Sequence, residues 1–156
     1  MLGKPEHGWT CFSIDGEGGY DLSYLTDIPF VWLEQAISGL ENMRPFCVCG
    51  YLEPGRCICT VSFFGCYVVI EDEDNRPLND EDIVHKHYNI GMLDFCRRLY
   101  DDISADLDGW ASFDGYASFQ NDEYFEEKKQ RLIELLDRLK NLTDEKAHFL
   151  TQALIY

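Results

Sequence analysis

The block 46–70 constrains the fold most. Three apolar runs, 46–52, 57–64 and 67–70, are separated by Glu53-Pro54-Gly55-Arg56 and by Gly65-Cys66. Runs of Val, Ile, Phe, Tyr and Cys bounded by turn formers read as strands. A sharp reversal at Pro54-Gly55 makes them an antiparallel meander. Gly65-Cys66 reads as a short turn or a bulge. Val68, Val69 and Ile70 are apolar without alternation, which suits a central strand buried on both faces.

The flanking segments supply a hairpin and helices. Residues 9–14 alternate, Asp15-Gly16-Glu17-Gly18-Gly19 forms a turn, and Tyr20, Leu22 and Tyr24 alternate again. This Gly-rich turn sits among acids and lacks GxGxxG or GxxxxGK[ST] spacing, so it is not a phosphate cradle. Thr26-Asp27-Ile28-Pro29 reads as a helix start, with a capping side chain and then Pro. Val31, Trp32, Ala36, Ile37 and Leu40 give that helix one apolar face, and Gly39 with Asn42-Met43-Arg44-Pro45 ends it. A polar loop, 71–79, leads to a short helix containing Ile83 and Val84, capped by Asn79 or Asp80.

A stronger helix begins at Met92. Met92, Phe95, Cys96, Leu99, Tyr100, Ile103 and Leu107 form its stripe, leaving Asp94, Arg98, Asp101, Asp102 and Asp106 outside. Then Asp108-Gly109-Trp110-Ala111-Ser112-Phe113 is followed at once by Asp114-Gly115-Tyr116-Ala117-Ser118-Phe119. Two copies of DG[WY]ASF cannot build a solenoid, so the repeat reads as a structured loop with Gly turns. Asn121 or Asp122 caps the next helix, which buries Phe125, Leu132, Leu135, Leu136, Leu139 and Leu142. Thr143-Asp144-Glu145 opens a last one, with Ala147, Leu150 and Leu154 on one face. No linker interrupts the chain, so a single globular domain over 1–156 is expected. Its class is α+β, an antiparallel sheet of about four to five strands packed with helices, the C-terminal half mostly helical. Trp32, Val68, Val69, Leu99, Ile103, Leu132, Leu136 and Leu139 should lie in its core.

At 46% hydrophobic and 14% aromatic, the 156 residues are far from a disordered composition. No apolar run approaches the roughly 20 residues of a membrane helix, and the first residues lack a signal-peptide core. Seven Cys, an odd number, then read as reduced thiols in a cytoplasmic protein.

Charge is unevenly distributed. Residues 71–127 hold seventeen Asp and Glu against four Arg and Lys, a net −13 of the chain's −16. Such a field repels nucleic-acid phosphates and anionic membranes, and it attracts basic proteins. The plainer alternative is that the acidity only keeps the protein soluble.

Candidate chemistry is sparse. Cys47-x-Cys49 and Cys57-x-Cys59 are the one metal candidate of note, and turn length decides whether they meet. A two-residue turn at Pro54-Gly55 sets Cys57 opposite Leu52 and Cys59 opposite Gly50, with the pairs on opposite faces. A three-residue turn sets Cys59 opposite Cys49, with all four on one face. Structural zinc favours CxxC over CxC, and Cys packs well in cores, so core packing is preferred. His85-Lys86-His87 has no third ligand placed by spacing. EF-hand loops starting at Asp72 or Asp106 would need Gly and Glu where Pro77, Ile83, Ala111 and Ala117 stand. Cys96 adjoins Arg97 and Arg98 but lies on the apolar stripe, where a thiol is buried and inert. No Ser has a nucleophile-elbow context, and no carboxylate pair is singled out by spacing. The chain is therefore read as a non-enzyme with no cofactor and no metal.

The repeat suggests a partner surface instead. Trp110 and Tyr116 fall between acidic helix ends, and aromatics ringed by charge are typical interface anchors. The expected partner-binding set is Asp101, Asp102, Asp106, Asp108, Trp110, Asp114 and Tyr116. The alternative is that both rings cover the core beneath the loop.

Two stretches carry a resemblance. One is Tyr24-Leu25-Thr26-Asp27-Ile28-Pro29 with Trp32-Leu33. The other runs from Asp94-Phe95-Cys96 through Leu99-Tyr100-Asp101-Asp102-Ile103 to Asp106-Leu107-Asp108-Gly109-Trp110. In these and in its overall layout the chain resembles immunity proteins of bacterial toxin–immunity systems. The resemblance implies an acidic inhibitor whose partner is a toxin domain, often a basic nuclease. Two other classes stand beside it: a nucleic-acid-mimicking inhibitor such as a phage antagonist, and a small Cys-ligated metal protein.

Overall fold

A computed structural model describes residues 1–16, 18–78, 86–115 and 121–152. A hairpin of β1 (Trp9–Phe12) and β2 (Tyr20–Ser23) leads into α1 (Ile28–Asn42). The meander follows as β3 (Phe46–Tyr51), β4 (Arg56–Val61) and β5 (Cys66–Glu71), with β6 (Lys86–Tyr88) added at its edge. Then come α2 (Met92–Ser104), the short α3 (Leu107–Ala111) and the long α4 (Asp122–Gln152). The class is α+β, with an antiparallel two-stranded sheet and an antiparallel four-stranded sheet in the order β3-β4-β5-β6. The expected cap at Asn79 or Asp80, the helix through Ile83 and Val84, and Leu154 lie outside the described residues.

The turn between β3 and β4 centres on Glu53-Pro54, one residue earlier than the two-residue turn considered from sequence. Tyr51 pairs with Arg56, and the Leu52 amide donates to the Gly55 carbonyl at 2.9 Å, closing a four-residue loop. Cys57 therefore faces Gly50, and Cys59 faces Val48. Gly55 has φ +87°, and a Cβ there would sit 2.3 Å from the Glu71 carbonyl oxygen, so the turn requires glycine.

Side chains alternate strictly across the sheet. Phe46, Val48, Cys57, Cys59, Val61, Cys66, Val68 and Ile70 are buried on the inner face. Val69 points the other way and is only half-buried. The expectation that β5 is buried on both faces, Val69 included, is thus corrected. The strand is interior to its sheet, but the inner face alone is packed by helices. The other expected core residues, Trp32, Leu99, Ile103, Leu132, Leu136 and Leu139, are buried.

Helix α1 lies between sheet and α4, which explains its broad buried face, while Glu34, Gln35, Glu41 and Asn42 form an exposed stripe. Gly39 is interior to it. A Cβ at Gly39 would lie 2.3 Å from the Phe46 ring, so this residue lets β3 approach closely and does not end the helix. The end comes at Met43, φ +48°, where the amides of Met43 and Arg44 reach the carbonyls of Leu40 and Gly39. A run of rings, Phe12 on Trp32, Trp32 on Phe95 and Phe95 on Phe46, fills the space between hairpin, α1, α2 and sheet. Trp32 also donates its indole N–H to the Cys49 carbonyl at 2.8 Å, satisfying an acceptor at the edge of β3.

Two helix boundaries differ from expectation. Leu107 belongs to α3, because the chain breaks after Ser104. And α4 runs unbroken through Thr143, where a new helix start was expected. The Thr143 hydroxyl donates to the Lys140 carbonyl at 2.7 Å within the helix, so it caps nothing. The stripe Leu132, Leu136, Leu139, Thr143 and Leu150 stays buried across the site. That burial exceeds the few tenths of a kcal/mol by which Thr disfavours helix. No helix among the described residues is long and apolar enough to cross a membrane.

Candidate partner interface

The acids expected to face a partner mostly hold the fold together. Asp106 caps α3, its Oδ1 accepting from the Gly109 amide at 3.1 Å, with Lys4 4.0 Å away. That cap turns the start of the repeat into a helix and not a loop, and the turn sends Trp110 inward. The Trp110 side chain is fully buried, packs on Phe113 at 5.3 Å and donates its indole N–H to the Asp102 carbonyl at 3.2 Å. Trp110 as an exposed anchor is therefore corrected: the ring is core. Asp102 accepts from the Leu2 amide at 2.8 Å and pairs with the Met1 ammonium at 3.1 Å, fixing the first residues to α2. Asp114 is bound to Lys128. Only Asp101 and Asp108 are exposed, and Asp108 pairs with Lys129 at 2.7 Å while remaining 70% exposed. Tyr116 lies outside the described residues.

Lys128 is the centre of a cluster that the sequence did not reveal. Its ammonium is buried between Asp27, 3.1 Å away, and Asp114, under the rings of Phe30 at 5.0 Å and Tyr124 at 5.8 Å. Asp27 precedes α1 but makes no cap bond, because its carboxylate turns to Lys128 instead. Its other oxygen, Oδ1, is buried with no partner among the described residues. Burial pushes the Asp27 carboxyl above its ordinary value and outweighs the opposing pull of Lys128, with Asp114 adding to the rise. Beside this cluster a cleft opens between α1 and α4, where Arg131 stacks over Phe30 at 5.3 Å and pairs with Glu34 at 2.6 Å. Each cation in the cleft already has an acid, so the arrangement fastens helices and leaves no free acid–base pair.

One group of exposed acids lies at the start of α4. Asp122, Glu123, Glu126 and Glu127 are exposed there, and Tyr124 between them is 44% exposed. The Asn121 side chain accepts from the Tyr124 amide at 2.8 Å and caps the helix. This is the aromatic beside acids that sequence reading sought in the repeat. The signal was present in Asp122-Glu123-Tyr124, just beyond it.

The sheet's outer face is the second open surface. Three cross-strand rows make it up: Cys47, Thr60, Tyr67 and His87; Cys49, Ile58 and Val69; Tyr51, Arg56 and Glu71. Tyr51 is 44% and Tyr67 40% exposed, and His87 stacks on Tyr67 at 4.7 Å. Arg56 and Glu71 pair at 2.5 Å.

The register separates the cysteines. Cys47 and Cys49 face outward, and Cys57 and Cys59 face the core, so the four cannot share one ion. Among the described residues no three His, Cys, Asp or Glu gather as metal ligands. His85, one half of the other candidate, lies outside them. Burial pushes the Cys57 thiol up to about 12, and it raises Cys96 as well, whatever the neighbouring Arg97 and Arg98 contribute. Arg98 reaches away to the Ile14 carbonyl at 2.9 Å. Asp72 accepts from the amides of Asp74 and Arg76, both at 2.9 Å, and so closes a turn with its carboxylate.

No protein-family model, curated protein or solved structure matches this chain.

Proposed function

We propose that this chain is a cytoplasmic acidic binding protein that neutralises a cognate basic toxin by occupying its surface. One observation supports the reading most. Part of the acidity serves the fold, but Asp122, Glu123, Glu126 and Glu127 form a separate exposed group, fixed on a helix around the half-exposed Tyr124. Charges held on a rigid element give a directional field, which accelerates encounter with a basic surface more than a diffuse acidic tail would. The acids also complement the positive end of α4, so the group is compatible with helix stability.

The experiment is surface-plasmon kinetics against the product of the neighbouring gene, a basic protein on this reading, at several salt concentrations. Glu123 and Glu126 changed together to Gln should slow association and flatten its salt dependence, leaving dissociation nearly unchanged. Association that ignores salt in the wild type would reduce the acidity to a solubility feature.

A further inference from the structure

The outer face of the four-stranded sheet is unusual for a face open to water. An antiparallel sheet with one solvated side normally alternates apolar-in with polar-out. Here the outward positions carry Cys47, Cys49, Tyr51, Ile58, Thr60, Tyr67, Val69 and His87, and among the described residues of the three rows the only full charges are the mutually paired Arg56 and Glu71. No Lys stands on the three rows, although Lys is a common means of keeping an open sheet from unwanted pairing. Tyr51 and Tyr67 keep large exposed areas, with Ile58 and Val69 half-buried between them. An exposed apolar centre with aromatics is the anatomy of an interface core.

One end of this face is acidic. The Gly55 turn abuts Glu71 and Asp72, so Glu53 and the run Glu71, Asp72, Glu73 and Asp74 lie at the same end of the sheet. Within the segments 53–56 and 71–76, two bases, Arg56 and Arg76, stand against those five acids. A second copy of the chain would bring like acidic ends and two net charges of −16 together. A basic protein would find complementary charge beside an apolar centre. With six-residue strands of roughly 20 Å and three spacings of roughly 5 Å, the face covers about 300 Å². A stable interface needs about 800 Å² per partner, so the face would form its centre and the acidic turns part of its rim.

We infer that the outer sheet face, with its acidic end at Glu53 and 71–74, is the docking surface for the basic partner. The inference rests on the binding reading above and adds where the partner sits. The acidic end beside the face steers the encounter, and the sheet face holds the complex once formed. Charge then sets the association rate, and the desolvated tyrosines set the dissociation rate.

The test uses the whole chain and the same neighbouring-gene product. Tyr67→Ala and Val69→Lys are each measured for binding kinetics, with thermal melts to confirm an intact fold. Iodoacetamide labelling is followed at Cys47, exposed on the face, and at Cys11, exposed on the hairpin. The expected result is dissociation about thirtyfold faster or more for Tyr67→Ala. A larger loss is expected for Val69→Lys, together with protection of Cys47 but not Cys11 in the complex. Wild-type dissociation in both variants with Cys47 still labelled, while salt-dependent association persists, would move the docking surface elsewhere and leave the binding reading intact. No binding by the wild type at low salt would remove both. If the chain alone sediments as a dimer that Val69→Lys splits, the occupant is a second copy and the assignment to a basic partner is overturned.

Discussion

At the end of the molecule where α3 meets α4, acids and aromatics crowd together in sequence, and most of them are used internally. Asp102 ties down the first residues, Asp106 caps α3, Asp27 and Asp114 hold Lys128, and Trp110 fills the core. On the outer sheet face the opposite holds. Val69 and the cysteines read as core in sequence, yet Tyr51, Tyr67 and Cys47 stand open and Ile58 and Val69 are only half covered. The difference teaches that residue type alone does not locate an interface. A charged side chain within reach of a buried counter-charge becomes structural, and an apolar side chain on the unpacked face of a sheet becomes surface.

Substitutions at each place test that contrast. Trp110→Ala should have the largest effect, a loss of about 3–5 kcal/mol in urea unfolding, because a fully buried ring and its indole hydrogen bond both go. A loss below about 1 kcal/mol would return Trp110 to the surface. Lys128→Ala comes next. It leaves the Asp27 and Asp114 carboxylates together without their cation, and about 2 kcal/mol should be lost. That is less than the about 3–5 kcal/mol of a fully buried pair, because both acids are over a quarter exposed. An unchanged midpoint would mean that the cluster is ornamental to stability.

Asp27→Asn should act more gently and with a pH signature. The folded state raises the Asp27 carboxyl above its ordinary value of 3.8, so it binds a proton that the unfolded chain has already released. Its contribution to stability therefore falls as pH rises from that value through the raised one. Asp27→Asn removes this fall, and its stability relative to wild type should climb over the same interval. A relative decline would show that pairing with Lys128 outweighs burial. The smallest effect belongs to Tyr67→Ala on the open face, within about 0.5 kcal/mol of wild type in stability. A cost comparable to that of Trp110→Ala would show that the outer face is covered after all.

Much of the architecture was legible in the sequence. The hairpin around Gly16 and Gly18, the helix opened by Pro29, the meander and the stripe of α2 follow from periods of 2 and 3.6 and from turn formers, which any short window contains. Of the site, the exposure of Asp101 followed from its place outside that stripe. The tertiary structure decided the rest. The length of the Glu53-Pro54 turn set which cysteines face the core, because one added residue reverses every side chain of a strand. Thr143 stayed helical because the apolar stripe on either side of it had one continuous surface to cover. Lys128 and Asp27 are 101 residues apart, and Leu2 and Asp102 are 100 apart, so no local pattern joins them. A window of sequence fixes what each segment prefers to be. Only the packed chain decides which charges find one another, and hence which faces are left for water or for a partner.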